Sequence, residues 1–157
     1  LRVDVPDMLI EMGPQELAKE MDGTLVKRVF ATARENGGLI EITDHAEDLK
    51  GADVIYGDVW ASMGEEAQIP ERVGLLSPFR VTMDTLKATE NPDVLYLHCL
   101  PSFHDFETKM AKEWQAKGVD IREVTDEVFR GKHSVVFDEA ENRMHSIKAV
   151  LVATIGR

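Results

Sequence analysis

Two strongly apolar runs do most to constrain how this chain can fold. They are "ADVIYGDVW" (residues 52–60) and "DVLYLHCL" (residues 93–100), and both are typical of strands buried on both faces of a parallel sheet. Shorter strand patterns occupy residues 1–5, "LIEIT" (39–43) and "IREVT" (121–125). Segments of helical spacing separate these strands. The alternation predicts an α/β fold with a parallel, Rossmann-like sheet and crossover helices.

Helical signals lie between the predicted strands and after the last one. The segments are residues 12–36 with a break near Asp22-Gly23, then 44–51, 78–88, 106–117 and 138–156. Asp44 is the candidate N-cap of the short second segment, and Gly37-Gly38 is a candidate C-cap. The last segment opens with acidic residues, as the helix dipole favours.

The composition excludes several classes of function. The 157 residues suffice for a single core, and 43% hydrophobic with 30% charged residues indicates a globular chain. The net charge of −11 argues against nucleic-acid and anionic-membrane partners, because like charges repel. No apolar run reaches membrane-spanning length. Since Cys99 is the only cysteine, no internal disulfide can form, which fits a reducing compartment such as the cytosol.

In a parallel α/β sheet, ligands bind beyond the carboxyl ends of the strands, here the loops after Trp60 and Leu100. The second loop belongs to "HCLPSFHD", where Cys with His suggests a nucleophile and its base. His98 and Cys99 are adjacent on a strand, however, so their side chains should point to opposite faces and not pair. A metal site would need paired ligand spacing, which is missing. The plainer interpretation is a small buried Cys99 and a satisfied core His98.

Two further stretches carry polar side chains that need an explanation. Asp58 stands near the end of a strand too apolar for an unpaired carboxylate, so it caps the following loop or meets a cationic ligand. Ser62-Met63-Gly64 then supplies a hydroxyl, a flexible thioether and a permissive backbone. Arg143 lies among acids of the closing helix, where it forms a surface ion pair or addresses a carbonyl or phosphate oxygen. Local spacing leaves these alternatives open.

Taken in order, these elements resemble the ornithine carbamoyltransferases. "DVWASMGE" is similar to the family's ornithine-binding loop, "LHCLPSFHD" to its HCLP signature, and "FDEAENRMHSIKAV" to its C-terminal arginine helix, and "VTDEVF" between them also fits. The match is close from about Gly37 to the end and less close over residues 7–35. HCLP is specific to the carbamoyltransferase superfamily, and the SMG loop favours ornithine over aspartate or putrescine as acceptor.

The resemblance implies a reaction and the acceptor side of a site. The family transfers the carbamoyl group of carbamoyl phosphate to the δ-amino group of L-ornithine, which gives L-citrulline and phosphate. No metal or other cofactor is expected. Asp58 and Ser62 would hold the α-amino group of ornithine, with the backbone of Met63 near its carboxylate.

The resemblance also implies which residues act on the carbamoyl group. Cys99 and Leu100 would lie beside the attacking amine and the carbamoyl group, and Arg143 would polarise the carbamoyl oxygen. Asp58, Cys99 and Arg143 are therefore the predicted catalytic residues. The physical chemistry agrees, since an amine attacks only when neutral and an arginine can stabilise charge that develops on the carbonyl oxygen.

Two features of the family are missing from this sequence. The first is the carbamoyl phosphate half, whose S-T-R-T loop and H-P-x-Q motif do not occur. The second is the strand and helix with which the family's ornithine domain begins, upstream of the segment that matches "LRVDVP". We therefore expect residues 1–137 to form most of an ornithine-binding domain, and residues 138–157 to form a helix that packs on a carbamoyl phosphate domain absent from this chain. The chain alone should be inactive, and the complete protein a homotrimer like its family. The alternatives are a noncatalytic amino-acid-binding module and a carbamoyltransferase with another amine acceptor.

Overall fold

The computed structural model describes residues 8–19, 22–62 and 64–156 of the chain. Two compact units are present, residues 1–50 and residues 51–157. The strand predicted at residues 1–5 and the predicted site residue Met63 lie outside the described residues.

The first unit is built around two parallel strands. Its elements are β1 (Met8–Met12), α1 (Gln15–Ala18), α2 (Gly23–Glu35), β2 (Leu39–Thr43) and a 3-10 turn at Ala46–Leu49. β1 pairs with β2 in parallel register, with Met8 opposite Leu39, and α2 packs against β2. This is the βαβ arrangement that the alternating sequence pattern favours. β1 itself was not predicted.

The ends of the elements in this unit test the predicted caps. Asp22 caps α2, because its carboxylate accepts two N–H groups of the first turn at 2.7 and 3.1 Å, which also lowers its pKa. Gly37 follows α2 with a φ of +80°, so the predicted break and C-cap are confirmed. The predicted Asp44 cap is wrong. The 3-10 turn follows His45 without a side-chain cap, and Asp44 instead accepts a hydrogen bond from Gln15 Nε2 at 2.9 Å.

The second unit also contains a parallel strand pair, with helices before and after β4. Its elements are β3 (Val54–Gly57), α3 (Ile69–Leu76), α4 (Met83–Ala88), β4 (Leu95–His98), α5 (Lys109–Ala116), α6 (Asp126–Phe129) and α7 (Val136–Ile155), with 3-10 turns at Glu66–Gln68 and Ser77–Phe79. β3 pairs with β4 in parallel, with Val54 opposite Leu95 and Gly57 opposite His98. The predicted α/β class is confirmed in both units.

The core of the second unit is centred on β4 and the segments beside it. Eight buried apolar residues form its main cluster, namely Val81, Leu86, Val94, Tyr96, Val124, Val128, Phe129 and Val136. Each such side chain contributes about 1.5–3 kcal/mol when fully buried. Tyr96 has no exposed surface, so β4 is anchored in this core next to the residues at its carboxyl end.

Two predictions for this unit need correction. Residues 78–88 do not form one helix, since Pro78 lies in a 3-10 turn and α4 begins only after Thr82, which forms a capping box with Thr85. The strand predicted at residues 121–125 is reduced to an isolated parallel bridge between Val81 and Val124. α3 was not predicted, and Pro70 lies in its first turn, where proline needs no amide hydrogen.

The closing helix, α7, begins two residues earlier than predicted, at Val136. Val136 is also its one buried residue, so most of its 20 residues face outward. Neither α7 nor any other helix in the described ranges combines the length and apolarity needed to cross a membrane.

Candidate functional site

The parallel register of β3 and β4 brings Asp58 and Cys99 together. Gly57 pairs with His98, so the next residue on each strand stands at the same carboxyl edge of the sheet. The Cys99 thiol donates to Asp58 Oδ1 across 3.1 Å, and the same oxygen accepts the N–H of Val59 at 2.8 Å. The carboxylate is thereby partly satisfied by the chain itself, and its other oxygen is available to a ligand.

Cys99 is held as a neutral thiol. Partial burial of the sulfur raises its pKa, and the hydrogen bond to Asp58 and the carboxylate's charge raise it further, to about 11. A nucleophilic cysteine requires the opposite, a lowered pKa, so this environment argues against a thiol hydrolase. The interpretation of Cys99 as a buried apolar residue is wrong as well, because the residue is exposed.

His98 is a buried and oriented side chain. It is 1% exposed, and its Nδ1 accepts the N–H of Leu100 at 2.9 Å, which places the proton of the neutral ring on Nε2. Nε2 lies 3.3 Å from Glu123 Oε1 but is not aligned with it as a hydrogen bond, so His98 is only half satisfied among the described residues. Contrary to prediction, His98 does approach Cys99, with Nδ1 3.8 Å from Sγ. Its Nδ1 lone pair is already engaged by Leu100 and cannot act as a base for the thiol.

The wall behind this edge is closely packed. A Cβ atom on Gly57 would lie 2.6 Å from Tyr96 Oη and 2.9 Å from His98 Cδ2, so no larger residue fits without movement. Glu123 is 3% exposed, and its Oε1 accepts the N–H of Phe103 at 2.6 Å. Burial, Glu123 and Cys99 together raise the pKa of Tyr96, which therefore stays a neutral phenol. The hydrogen bond between Glu123 and Phe103 holds the loop that follows Cys99.

The loop after β3 is shaped by its own acidic residues. The N–H of Ser62 donates to Glu65 Oε2 at 3.1 Å, and the N–H of Gly64 donates to Glu66 Oε1 at 3.0 Å. Gly64 has a φ of +93°, in the region where glycine is favoured. Ser62 is exposed, so its hydroxyl is accessible to a ligand. The predicted role of Met63 falls outside the described residues.

Arg143 is exposed on α7 and forms no ion pair or hydrogen bond with any residue that the structure describes. The surface ion pair considered from the sequence is therefore not formed within that part of the chain. α7 reaches the strand ends through Glu139, one turn before Arg143. The Tyr56 hydroxyl donates to Glu139 Oε1 at 2.7 Å, and the N–H of His98 donates to Oε2 at 3.1 Å.

A second group of polar side chains has the composition of a metal site. His104, Asp105 and Asp126 place one ligand atom each within 4.8 Å of the others. Arg130 already pairs with both carboxylates, through Nε to Asp126 at 2.8 Å and Nη2 to Asp105 at 3.3 Å. The His104 ring stacks on Phe129 with 3.8 Å between centroids. We interpret the group as an anchor that holds the loop after Cys99 against α6.

Sequence reasoning missed Glu139, Glu123, Tyr56 and Gly57 as parts of this region. The Glu139 contacts join residues 83 and 41 positions apart. Local sequence patterns carry no information about contacts between residues so far apart in the chain. The one available signal was Glu123, an acid inside the short strand predicted at residues 121–125, because a carboxylate that becomes buried needs a partner.

Comparison with known proteins shows consistent similarity. The family described as "Aspartate/ornithine carbamoyltransferase, Asp/Orn binding domain" matches residues 9–154. A catabolic ornithine carbamoyltransferase of Clostridium perfringens is 51% identical over 151 residues, which cover 94% of this chain and 45% of that protein. One of Bacillus licheniformis is 54% identical over 145 residues, 91% of this chain and 43% of that protein. This chain therefore spans less than half the length of these relatives.

Solved structures agree with the sequence relatives. Ornithine carbamoyltransferase from Pyrococcus furiosus superposes with a TM-score of 0.68 at 40% identity, over 86% of this chain and 38% of that one. The anabolic enzyme from Campylobacter jejuni superposes with a TM-score of 0.74 at 26% identity, over 92% of this chain and 42% of that one.

Proposed function

The chain belongs to the aspartate/ornithine carbamoyltransferase family, as its Asp/Orn binding domain, and on that premise we propose that it is the acceptor half of an ornithine carbamoyltransferase. In this role it presents L-ornithine to carbamoyl phosphate, and the reaction yields L-citrulline and phosphate. The observation that carries the proposal is the Asp58–Cys99 pair, 3.1 Å apart at the carboxyl edge of two parallel strands. Ligands of parallel sheets bind at this edge.

Asp58 and Ser62 bind the α-amino group of ornithine in this proposal, and the backbone at Met63 lies near its carboxylate. The carboxylate of Asp58 has the charge to hold an ammonium group, and it has an oxygen beyond the one bonded to Cys99 and Val59. The exposed Ser62 hydroxyl adds a neutral contact. A bound and oriented diamino acid then directs its δ-amino group toward Cys99 and Leu100.

The chemical step needs a neutral amine and an activated carbonyl. An alkyl amine has a pKa near 10.4, so at neutral pH almost every amine molecule is protonated and must lose a proton before it can attack. The backbone carbonyls of Cys99 and Leu100 can accept hydrogen bonds from the reacting nitrogen, and after the proton is lost these bonds orient the lone pair of the amine toward the carbamoyl carbon. Because the Cys99 thiol stays protonated, it contributes polarity beside the amine and forms no covalent intermediate. Alignment of the two substrates supplies much of the acceleration.

Arg143 polarises the carbamoyl oxygen. Its guanidinium is exposed and unpaired among the described residues, so no internal carboxylate competes for it. A cation aimed at this oxygen stabilises the negative charge that develops as the amine adds, and this raises kcat more than affinity.

The rest of the enzyme lies outside these 157 residues in this proposal. α7 exposes several large apolar side chains, with Phe137 69%, Val152 63% and Ile155 74% exposed. Exposed apolar surface of this kind marks an interaction site. Residues 138–157 pack on a carbamoyl phosphate domain, and the complete protein is a cytoplasmic homotrimer assembled mainly through that domain. The chain alone has no steady activity.

The test uses the complete polypeptide, meaning this chain joined at its amino terminus to a carbamoyl phosphate domain, for which the part of the Clostridium perfringens relative that this chain does not match is used. Arg143→Ala should lower kcat about 100- to 1000-fold, as loss of an oxyanion contact does. Cys99→Ala should lower it less, because a neutral contact is removed. Wild-type citrulline synthesis by both variants would contradict the assigned roles. A panel of amines would show whether ornithine is the preferred acceptor.

A further inference from the structure

Glu139 connects three elements that carry the candidate site. One carboxylate oxygen accepts the Tyr56 hydroxyl of β3 at 2.7 Å, and the other accepts the backbone N–H of His98 in β4 at 3.1 Å. Tyr56 is two residues before Asp58, and His98 is one residue before Cys99. A single side chain of α7 thus contacts both strands just before each presents its site residue.

Apart from Glu139, α7 is held at its first turn, where Val136 is buried in the core and the Phe137 ring lies 5.8 Å from the Phe129 ring between centroids. One residue of the helix is buried, and its N-cap provides no side-chain hydrogen bond. The other α7 side-chain hydrogen bonds and ion pairs run within the helix, from Ser146, Thr154 and His145. Among the described residues, Glu139 is the one α7 side chain that hydrogen-bonds to another element.

Arg143 is four residues after Glu139, which puts both side chains on the same face of α7, one turn apart. Beyond the buried first turn, the hydrogen bonds of Glu139 to the strands are the α7 contacts nearest to Arg143, so they set the position from which Arg143 extends. We propose that Glu139 is a positioning residue for carbamoyl transfer, and that it holds Arg143 at a fixed distance from the Asp58–Cys99 pair through its bonds to Tyr56 and His98. This inference rests on the proposed function.

The geometry predicts that the hydrogen bonds of Glu139 matter and that its charge does not. A glutamine can keep both contacts, because its amide oxygen accepts the His98 N–H and its amide nitrogen can donate to the Tyr56 oxygen. An alanine keeps neither. Asp138 is a matched control, because it lies in the same first turn and is exposed, and because Asp138→Asn removes the same charge near the helix dipole.

The experiment measures kcat and the KM for ornithine in the complete polypeptide. Glu139→Ala should lower kcat about 10- to 100-fold, as a displaced catalytic group does, with little change in the ornithine KM. Glu139→Gln and Asp138→Asn should stay close to wild type. In an Arg143→Ala background, Glu139→Ala should cause no further loss, because the group it positions is gone.

Tyr56→Phe covers the case in which Glu139→Ala does not fold. It removes one of the two contacts and keeps the ring, so we expect a smaller fall in kcat that also vanishes in the Arg143→Ala background. Unchanged kcat in Glu139→Ala, or an equal loss with and without Arg143, would overturn this inference and leave the proposed function intact. Absence of citrulline from the wild-type complete polypeptide would overturn the proposed function and this inference with it.

Discussion

The Cys99 sulfur lies 3.1 Å from the Asp58 carboxylate, across two strands held in parallel register. The pairing gives each residue a property that it lacks alone. Asp58 gains a hydrogen-bond donor that leaves its negative charge in place, and Cys99 is kept protonated at neutral pH. A polar, uncharged thiol beside a carboxylate suits an amine ligand better than a thiolate would, because the carboxylate already supplies the negative charge.

The thiol pKa can be measured directly, because Cys99 is the single cysteine of the chain. The rate of alkylation by iodoacetamide should rise with pH around a midpoint of about 11. Asp58→Asn should shift the midpoint down, since the carboxylate's charge and hydrogen bond both raise the pKa. Asp93→Asn, which removes an exposed charge elsewhere, should leave it unchanged. A wild-type midpoint at or below the ordinary value of 9.0 would contradict this description of the pair.

Gly57 should tolerate no side chain. In Gly57→Ala the new Cβ lies 2.6 Å from Tyr96 Oη, so we expect a loss of about 1–3 kcal/mol in the free energy of unfolding, the usual cost of overpacking. Chemical denaturation measures it. Gly74→Ala is the control, because nothing lies within 4 Å of its added Cβ and alanine favours the helix.

The same clash predicts a rescue. Tyr96→Phe removes the oxygen nearest to the new Cβ, and in the native chain that buried oxygen has no hydrogen-bond partner among the described residues. The double variant should therefore regain part of the stability lost in Gly57→Ala. If Gly57→Ala were as stable as Gly74→Ala, the close packing of β3 on β4 would be wrong.

The loop after β3 should weaken in acid. The N–H of Gly64 and the N–H of Glu66 itself lower the pKa of the Glu66 carboxyl below 4.5. A carboxyl whose pKa is lowered on folding contributes stability above its unfolded pKa, and that contribution is lost as the pH falls through the folded value. Glu66→Gln should therefore be less stable than wild type at pH 7, and the difference should shrink below pH 4.5. Thermal unfolding at several pH values measures it, with exposed Glu71→Gln as control. A difference that persists at low pH would contradict the assignment.

The outward face of α7 should be dispensable for the fold of this chain and required for assembly. Val150 is 60% exposed, so Val150→Asp should change the unfolding midpoint of the 157-residue chain little. It should strongly weaken binding to a separately expressed carbamoyl phosphate domain, because a charge would then be buried in the proposed interface. Lys148→Asp on the same helix tests for a general charge effect. Unimpaired binding by Val150→Asp would place the interface elsewhere.

The strands β2, β3 and β4 could be predicted because their apolar patterns are local and strong. β1 was missed because "MLIEM" leads directly into helical spacing and has few β-branched residues. α3 was missed because Pro70 suggests a loop, whereas a proline in the first turn of a helix is well tolerated.

Some features of the candidate site could likewise be predicted from the sequence, and others could not. The rule that ligands bind at the carboxyl edge points to both Asp58 and Cys99 from the sequence, and they are found in contact. The direction of the thiol pKa depends on which groups surround the sulfur, and the contacts of Glu139 depend on how α7 crosses the strands. Neither is determined by neighbouring residues in the sequence.

The central claim is that these residues form the acceptor half of a two-domain enzyme. Its most direct test is citrulline formation from ornithine and carbamoyl phosphate by three samples: this chain, a carbamoyl phosphate domain, and the two joined. We predict steady turnover by the joined polypeptide and none by either part on its own. Turnover by the 157-residue chain on its own, or none by the joined polypeptide when both parts are folded, would contradict the account.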